Sequence, residues 1–174
     1  MKGIGAWLPK LCEKDGEKLA ILYKNRRLTY LAFNSRINRL AHAFTGLGVR
    51  RGDRVAAILP NGNEILEAMF ACAKLGAVFV PINFRLSAEE VAYIMTDAKP
   101  RLLVHHESYA HLYDSIADRI VMSHVVLVGE QPRMGEHFYE SLLADQCELE
   151  PDEEVSEDEV HLMMYSLTRS AHSR

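Results

Sequence analysis

The sequence predicts an α/β domain: a mostly parallel sheet with helices on both faces, preceded by a β-hairpin. Three observations predict it. Apolar runs without alternation, such as Val55-Ala56-Ala57-Ile58-Leu59, recur along the chain, as strands covered on both faces require. Between them lie segments of about a dozen residues whose apolar positions recur at three and four, the helical period. Strands and helices in alternation pair in parallel through right-handed crossovers. With 174 residues, 48% of them hydrophobic, the chain is long enough to bury a core without a metal or disulfide staple.

The elements follow in order. Leu19-Ala20-Ile21-Leu22-Tyr23 and Leu28-Thr29-Tyr30 flank the polar turn Lys24-Asn25-Arg26-Arg27 and read as a hairpin. From Ala32 to Leu47, Phe33, Ile37, Leu40, Ala41, Phe44 and Leu47 form the apolar stripe of a helix that Gly46 and Gly48 end. Val55 to Leu59, closed by Pro60, is the first central strand. Asn61-Gly62-Asn63-Glu64 supplies a turn and a helix cap, and Ile65, Leu66, Met69, Phe70 and Ala73 line a second helix ending near Gly76.

Ala77 to Ile82 is the next strand. Ser87 and Glu90 then make a capping box: the Ser87 hydroxyl accepts from the Glu90 amide while the Glu90 carboxylate reaches back. That helix runs to about Asp97, and Lys99-Pro100 breaks it. Arg101 to His105 is strand, Tyr109 to Ile120 is helical in period, Val125 to Val128 is strand, and His137 to Leu143 is a short helix. These readings divide the chain into a lead-in (1–15), the α/β domain (16–147), an acidic connection (148–159) and a terminal strand with its tail (160–174).

Charge and composition exclude several classes. The formal charge is −4, with eight of 24 acids between Glu148 and Glu159; the sixteen acids outside that window are outnumbered by twenty bases, a balance of +4. Neither sign is clustered as a nucleic-acid face demands, so nucleic acid is not an expected partner. Cys12, Cys72 and Cys147 lie far apart without Cys-x-x-Cys spacing, which fits reduced thiols in the cytoplasm. The start of the chain lacks the apolar core of a secretory signal, and the longest uncharged run, Leu75 to Phe84, is half a membrane span.

The residues alone assign no catalytic, cofactor-binding or metal-ligating position. His105-His106 and His111 are the only close histidines, and adjacent residues on a strand point to opposite faces. No nucleophile elbow, Gly-x-Gly-x-x-Gly or Lys-Ser/Thr phosphate loop occurs. Asn61-Gly62-Asn63 sits where open parallel sheets place ligands, at a strand's carboxyl end before a helix amino terminus, and reads first as a capped turn. Lys74-Leu75-Gly76 reads as a helix C-cap rather than a ligand corner. Arg85 reads as an ion pair rather than a contact to a coenzyme phosphate, and the acidic window as a solvated linker rather than a magnesium site.

Five segments carry a resemblance. Leu28-Thr29-Tyr30, Asn38-Arg39-Leu40-Ala41 and Gly52-Asp53-Arg54-Val55-Ala56 look like the opening of adenylate-forming enzymes of the acyl-CoA synthetase type. Ala73 to Ser87 resembles that family's second core motif, in the register Lys-x-Gly-Ala-x-x-x-Pro, here Lys74, Gly76, Ala77 and Pro81. The resemblance covers nearly all of residues 15 to 165 and implies part of an N-terminal subdomain of an adenylate-forming ligase. For a complete relative it implies ATP, magnesium and coenzyme A as cofactors, a small carboxylic (fatty) acid as substrate, and a two-step route through an acyl-adenylate to a thioester.

His161-Leu162-Met163-Met164-Tyr165 is similar to the strand leading into the family's phosphate-binding loop, which continues Thr-Ser-Gly-Thr-Thr-Gly. This chain continues Ser166-Leu167-Thr168-Arg169, and no glycine follows Gly135. Glycine lets a main chain close round phosphates at low steric cost. The expectation is therefore an N-terminal piece of an acyl-CoA ligase, ended by truncation or a frame change and inactive alone, in which Arg169 is solvated and no cofactor is held. The alternative is a stand-alone α/β module that binds a ligand or a protein without catalysis.

Overall fold

A computed structural model describes residues 3–166. A 3₁₀ turn, Ile4–Ala6, leads into helix α1, Trp7–Asp15, and the hairpin β1, Leu19–Tyr23, and β2, Arg26–Thr29. The helices α2, Tyr30–Gly46, α3, Asn63–Leu75, and α4, Ala88–Ala98, alternate with the strands β3, Arg54–Ile58, β4, Val78–Pro81, and β5, Leu102–His106. Then come α5, Ala110–Asp114, β6, His124–Val128, the two-residue β7, His137–Phe138, and α6, Tyr139–Ala144.

The five strands after the hairpin form one parallel sheet in the order β4-β3-β5-β6-β7. Alternation along the strands divides the core between the two faces. Val55, Ala57 and Leu59 join Phe33, Ile37, Leu40, Phe44, Ala68 and Cys72 on the face covered by α2, α3 and α6. Ala56 and Ile58 join Val80, Val91, Ile94, Met95, Leu112 and Ile116 on the face covered by α4 and α5. The expected fold class is thus the observed one, hairpin included.

Local chemistry sets the boundaries. Thr29 caps α2 by accepting from the Ala32 amide at 3.2 Å. Ser87 and Glu90 form the capping box: the Ser87 amide donates to the Glu90 carboxylate at 2.8 Å. The hairpin turn is tighter than expected, Lys24-Asn25 alone, with Lys24 in the left-handed region at φ 51°. Gly76 ends α3 at φ 65°, where a side chain would be strained.

Three expectations are corrected. Tyr109–Ile120 is not one helix: Ile116 is fully buried, and the chain turns inward through 3₁₀ turns at Glu107–Tyr109 and Ala117–Arg119 on either side of the five-residue α5. Residues 137–143 begin as a strand, because His137 and Phe138 extend the sheet beyond β6 before α6 starts. Val160 to Tyr165 forms a single parallel bridge, Phe79 with Leu162, at the outer edge of β4.

Candidate functional site

Parallel sheets present ligands at the carboxyl ends of their strands, above all where successive connections leave a strand toward opposite sides. In this sheet that switch point lies between β3 and β5, since β4 occupies the other side of β3. One crevice opens there, and a second, which shares Asn61 with it, opens at the carboxyl ends of β3 and β4. One, of about 540 Å³, is walled by the hairpin residues Tyr23 to Arg26 and by His106 and Val128. The other, of about 510 Å³, is lined by Leu59, Pro81 to Phe84, Met164 and Tyr165.

The first crevice has the amino end of α3 as its floor. Neither Asn61 nor Asn63 caps that helix, contrary to expectation: the cap position is Gly62, which has no side chain to accept the free amides. Asn63 is buried, and its Oδ1 has no hydrogen-bond partner among the described residues. Arg26 bridges Glu64 and Glu140 at 3.4 Å each.

Behind this floor runs a buried polar network that the sequence does not announce. Arg36 grips Glu67 through two bonds of 2.7 and 3.1 Å and also holds Glu140, while the Tyr139 hydroxyl donates to Glu67 at 2.7 Å. Burial works against the Arg36 charge, but its hydrogen bonds to Glu67 and Glu140 outweigh it and raise the guanidinium further. Burial together with the Glu67 charge pushes the Tyr139 hydroxyl up. These groups satisfy one another, so they join α2, α3 and α6 rather than offer a reactive group.

Around the second crevice, Phe84 and Tyr109 stack with ring centroids 4.4 Å apart. Arg85 is exposed and lies 5.6 Å over the Phe84 ring; among the described residues it makes no ion pair, which corrects the expectation. The Tyr165 hydroxyl donates to Asp97 at 2.6 Å, and burial with this bond pushes it up to about 12. Its ring packs on the core beneath α4 while bordering the crevice.

The other predicted positions resolve as follows. Lys74 is fully buried, its ammonium donating to Asn34 at 2.8 Å, Asn38 at 2.6 Å and Glu150. Glu150 thereby docks the acidic stretch on α2, assisted by Glu148 on Arg39 and by Glu159 near Arg51 at 3.5 Å, while Asp152, Glu153, Glu154, Glu157 and Asp158 are exposed to solvent. His105 is buried against Glu136 at 3.0 Å, His106 lines the first crevice, and His111 is exposed on α5. Among the described residues no three His, Cys, Asp or Glu side chains gather as a metal site. Arg169 lies outside the described residues.

The likeness to known proteins agrees with this architecture. Over 128 residues, 70% of this chain, the sequence is 38% identical to a crotonobetaine/carnitine–CoA ligase of Salmonella paratyphi A. Over 169 residues, 95% of the chain, it is 31% identical to a feruloyl-CoA synthase of Amycolatopsis. The chain spans 25% and 31% of those two proteins. The fold overlays the inhibitor-bound N-terminal domain of FACL13 from Mycobacterium tuberculosis with a TM-score of 0.86 at 30% identity, covering 99% of this chain and 43% of that one. A sequence model of the AMP-binding enzymes matches residues 8–166, and the chain belongs to that family.

Proposed function

We propose that this chain supplies the N-terminal part of an ATP-dependent acyl-CoA ligase, which joins a small carboxylic acid, fatty or related, to coenzyme A through an acyl-adenylate. The observation that carries the reading is the family match over 8–166, together with relatives of 31% identity and above that are CoA ligases by name. ATP with magnesium supplies the adenylate chemistry, and coenzyme A supplies the thiol. Exposed Arg85, beside the Phe84–Tyr109 stack, has the charge to meet a coenzyme phosphate.

The described residues do not fit a triphosphate. Phosphates require a concave set of backbone amides and cations. In the first crevice the free amides at the α3 amino end and the cations Lys24 and Arg26 face an acceptor set: Arg26 is already paired with Glu64 and Glu140, Glu64 and the Asn63 side-chain oxygen stand at the helix start, and no glycine lies between Gly135 and Ser166 to close a main-chain loop round phosphates. The reading therefore assigns residues 3–166 no catalytic step of their own and places the protein in the cytoplasm, with its three cysteines as free thiols.

Pyrophosphate release with ATP, magnesium and a panel of carboxylic acids tests it. The chain alone should release none above background, and turnover would refute the claim that it lacks a nucleotide site. The ligase reading has its own test. Residues 1–165, grafted in place of the matching segment of the feruloyl-CoA synthase, should give a chimera that forms feruloyl-CoA. A folded but inactive chimera counts against it.

A further inference from the structure

We propose that His124 and His137 form a two-imidazole site for a borderline divalent transition-metal ion, a clip between β6 and β7. His124 opens β6 and His137 opens β7; Val126 is in register with His137, so the two rings share one face of the sheet. His124 Nδ1 and His137 Nε2 are 3.2 Å apart, with ring centroids 5.4 Å apart and planes inclined by 47°. Both side chains are half-buried, which leaves one side open to water.

The distance is what a shared ion needs. Two nitrogens at Zn–N distances of about 2.0–2.1 Å and near-tetrahedral angles stand roughly 3.3 Å apart. Binding requires the rings to turn about χ2 until both lone pairs meet at one point. Without metal, one ring donates its N–H to the other. On binding, the donor ring moves that proton to its other nitrogen, which leaves a lone pair on each ring for the ion.

Nitrogen ligands select the metal. Imidazole suits zinc, nickel and copper, whereas magnesium takes oxygen ligands. No third His, Cys, Asp or Glu joins the pair among the described residues, so water completes the shell. The clip has a mechanical consequence. β7 is two residues long and is followed at once by α6, so an ion held across β6 and β7 fixes the start of that helix.

Calorimetric titration of the full chain with nickel chloride and then zinc chloride tests the site, in a Cys147→Ser background that removes an exposed thiol. One ion per chain is expected. His137→Gln and His124→Gln, each checked for an unchanged circular dichroism spectrum, should weaken binding tenfold or more, while the exposed His111→Gln should not. Nickel should raise the thermal midpoint of the parent and not that of His137→Gln, and millimolar magnesium should not compete. Binding equal to the parent's in either substituted chain, or displacement by magnesium, overturns the proposal.

Discussion

A single ammonium shows how residue chemistry organises this chain. Lys74 sits in the motif that carries the family resemblance, yet it contacts no crevice: two carboxamide oxygens and a carboxylate enclose it. Burial pushes Lys74 below the ordinary lysine range. Burial also pushes Glu150 up, but the bonds from Lys74 and Asn34 outweigh it and hold its carboxyl below the usual range. Removing the carboxylate leaves a fully buried ammonium without its counter-charge, so Glu150→Ala should cost about 3–5 kcal/mol in urea unfolding. Lys74→Met combined with Glu150→Gln should cost less than Glu150→Ala alone. His105 gives the matching pH prediction. Burial lowers it from 6.5 despite Glu136, with Arg133 and Tyr113 beside the pair. Below that value the unfolded chain takes up a proton that the folded one refuses, so stability is lost as pH falls from about 6.5 through the folded value. Half-buried His161, also lowered by burial, acts in the same direction. Thermal midpoints recorded against pH should fall less steeply through that window for His105→Gln. A second loss should begin below 4.5, where Glu140 and Glu150 are held low by Arg36 and Lys74 despite their burial.

At the scale of elements, the parts with strong local signals are those the sequence made legible. The capping box at Ser87 and Glu90 stands where its spacing placed it, and Ser87→Ala should cost about 1 kcal/mol in a denaturant titration. An unchanged midpoint would mean that α4 is held by its buried face alone. The strands around Val55, Phe79, Leu103 and Val126 were equally legible, because residues covered on both faces must be apolar throughout. What the periodicity concealed was tertiary. Tyr109 to Ile120 has helical spacing, and Leu112 and Ile116, four residues apart, are buried as one helical face would bury them, yet the chain breaks into α5 and two 3₁₀ turns. The docking of the acidic stretch could not be read because the partners of Glu148 and Glu150, namely Arg39, Asn34 and Lys74, lie 76 or more residues earlier. The sequence marked Asn61-Gly62-Asn63 as a place for ligands, but the walls of the two crevices there could not be read for the same reason. Hairpin residue Arg26 and strand-end residue His106 share a wall only once the sheet has formed.

For the whole molecule, the outer edge of the sheet decides how the chain behaves in solution. Val160, Leu162 and Met164 are 63%, 42% and 73% exposed, while the alternate residues Met163 and Tyr165 turn toward the core. The segment bonds to β4 through Phe79, whose amide donates to the His161 carbonyl at 2.9 Å and whose carbonyl accepts from Met163 at 3.0 Å. In a parallel ladder these bonds use one edge of the segment, so the amide and carbonyl of Leu162 face away from the sheet. An apolar row beside a backbone edge that is open among the described residues is a template for pairing with another chain. Sedimentation should therefore show association of this chain that rises with concentration. Val160→Glu with Met164→Glu should suppress it and change stability by no more than about 0.5 kcal/mol, because both side chains are exposed. Val121→Glu, at a position 98% exposed and remote in sequence from this edge, is the control and should leave association unchanged. If the control works as well as the double substitution, added charge rather than the edge governs association, and the row along Val160 to Met164 is no contact surface.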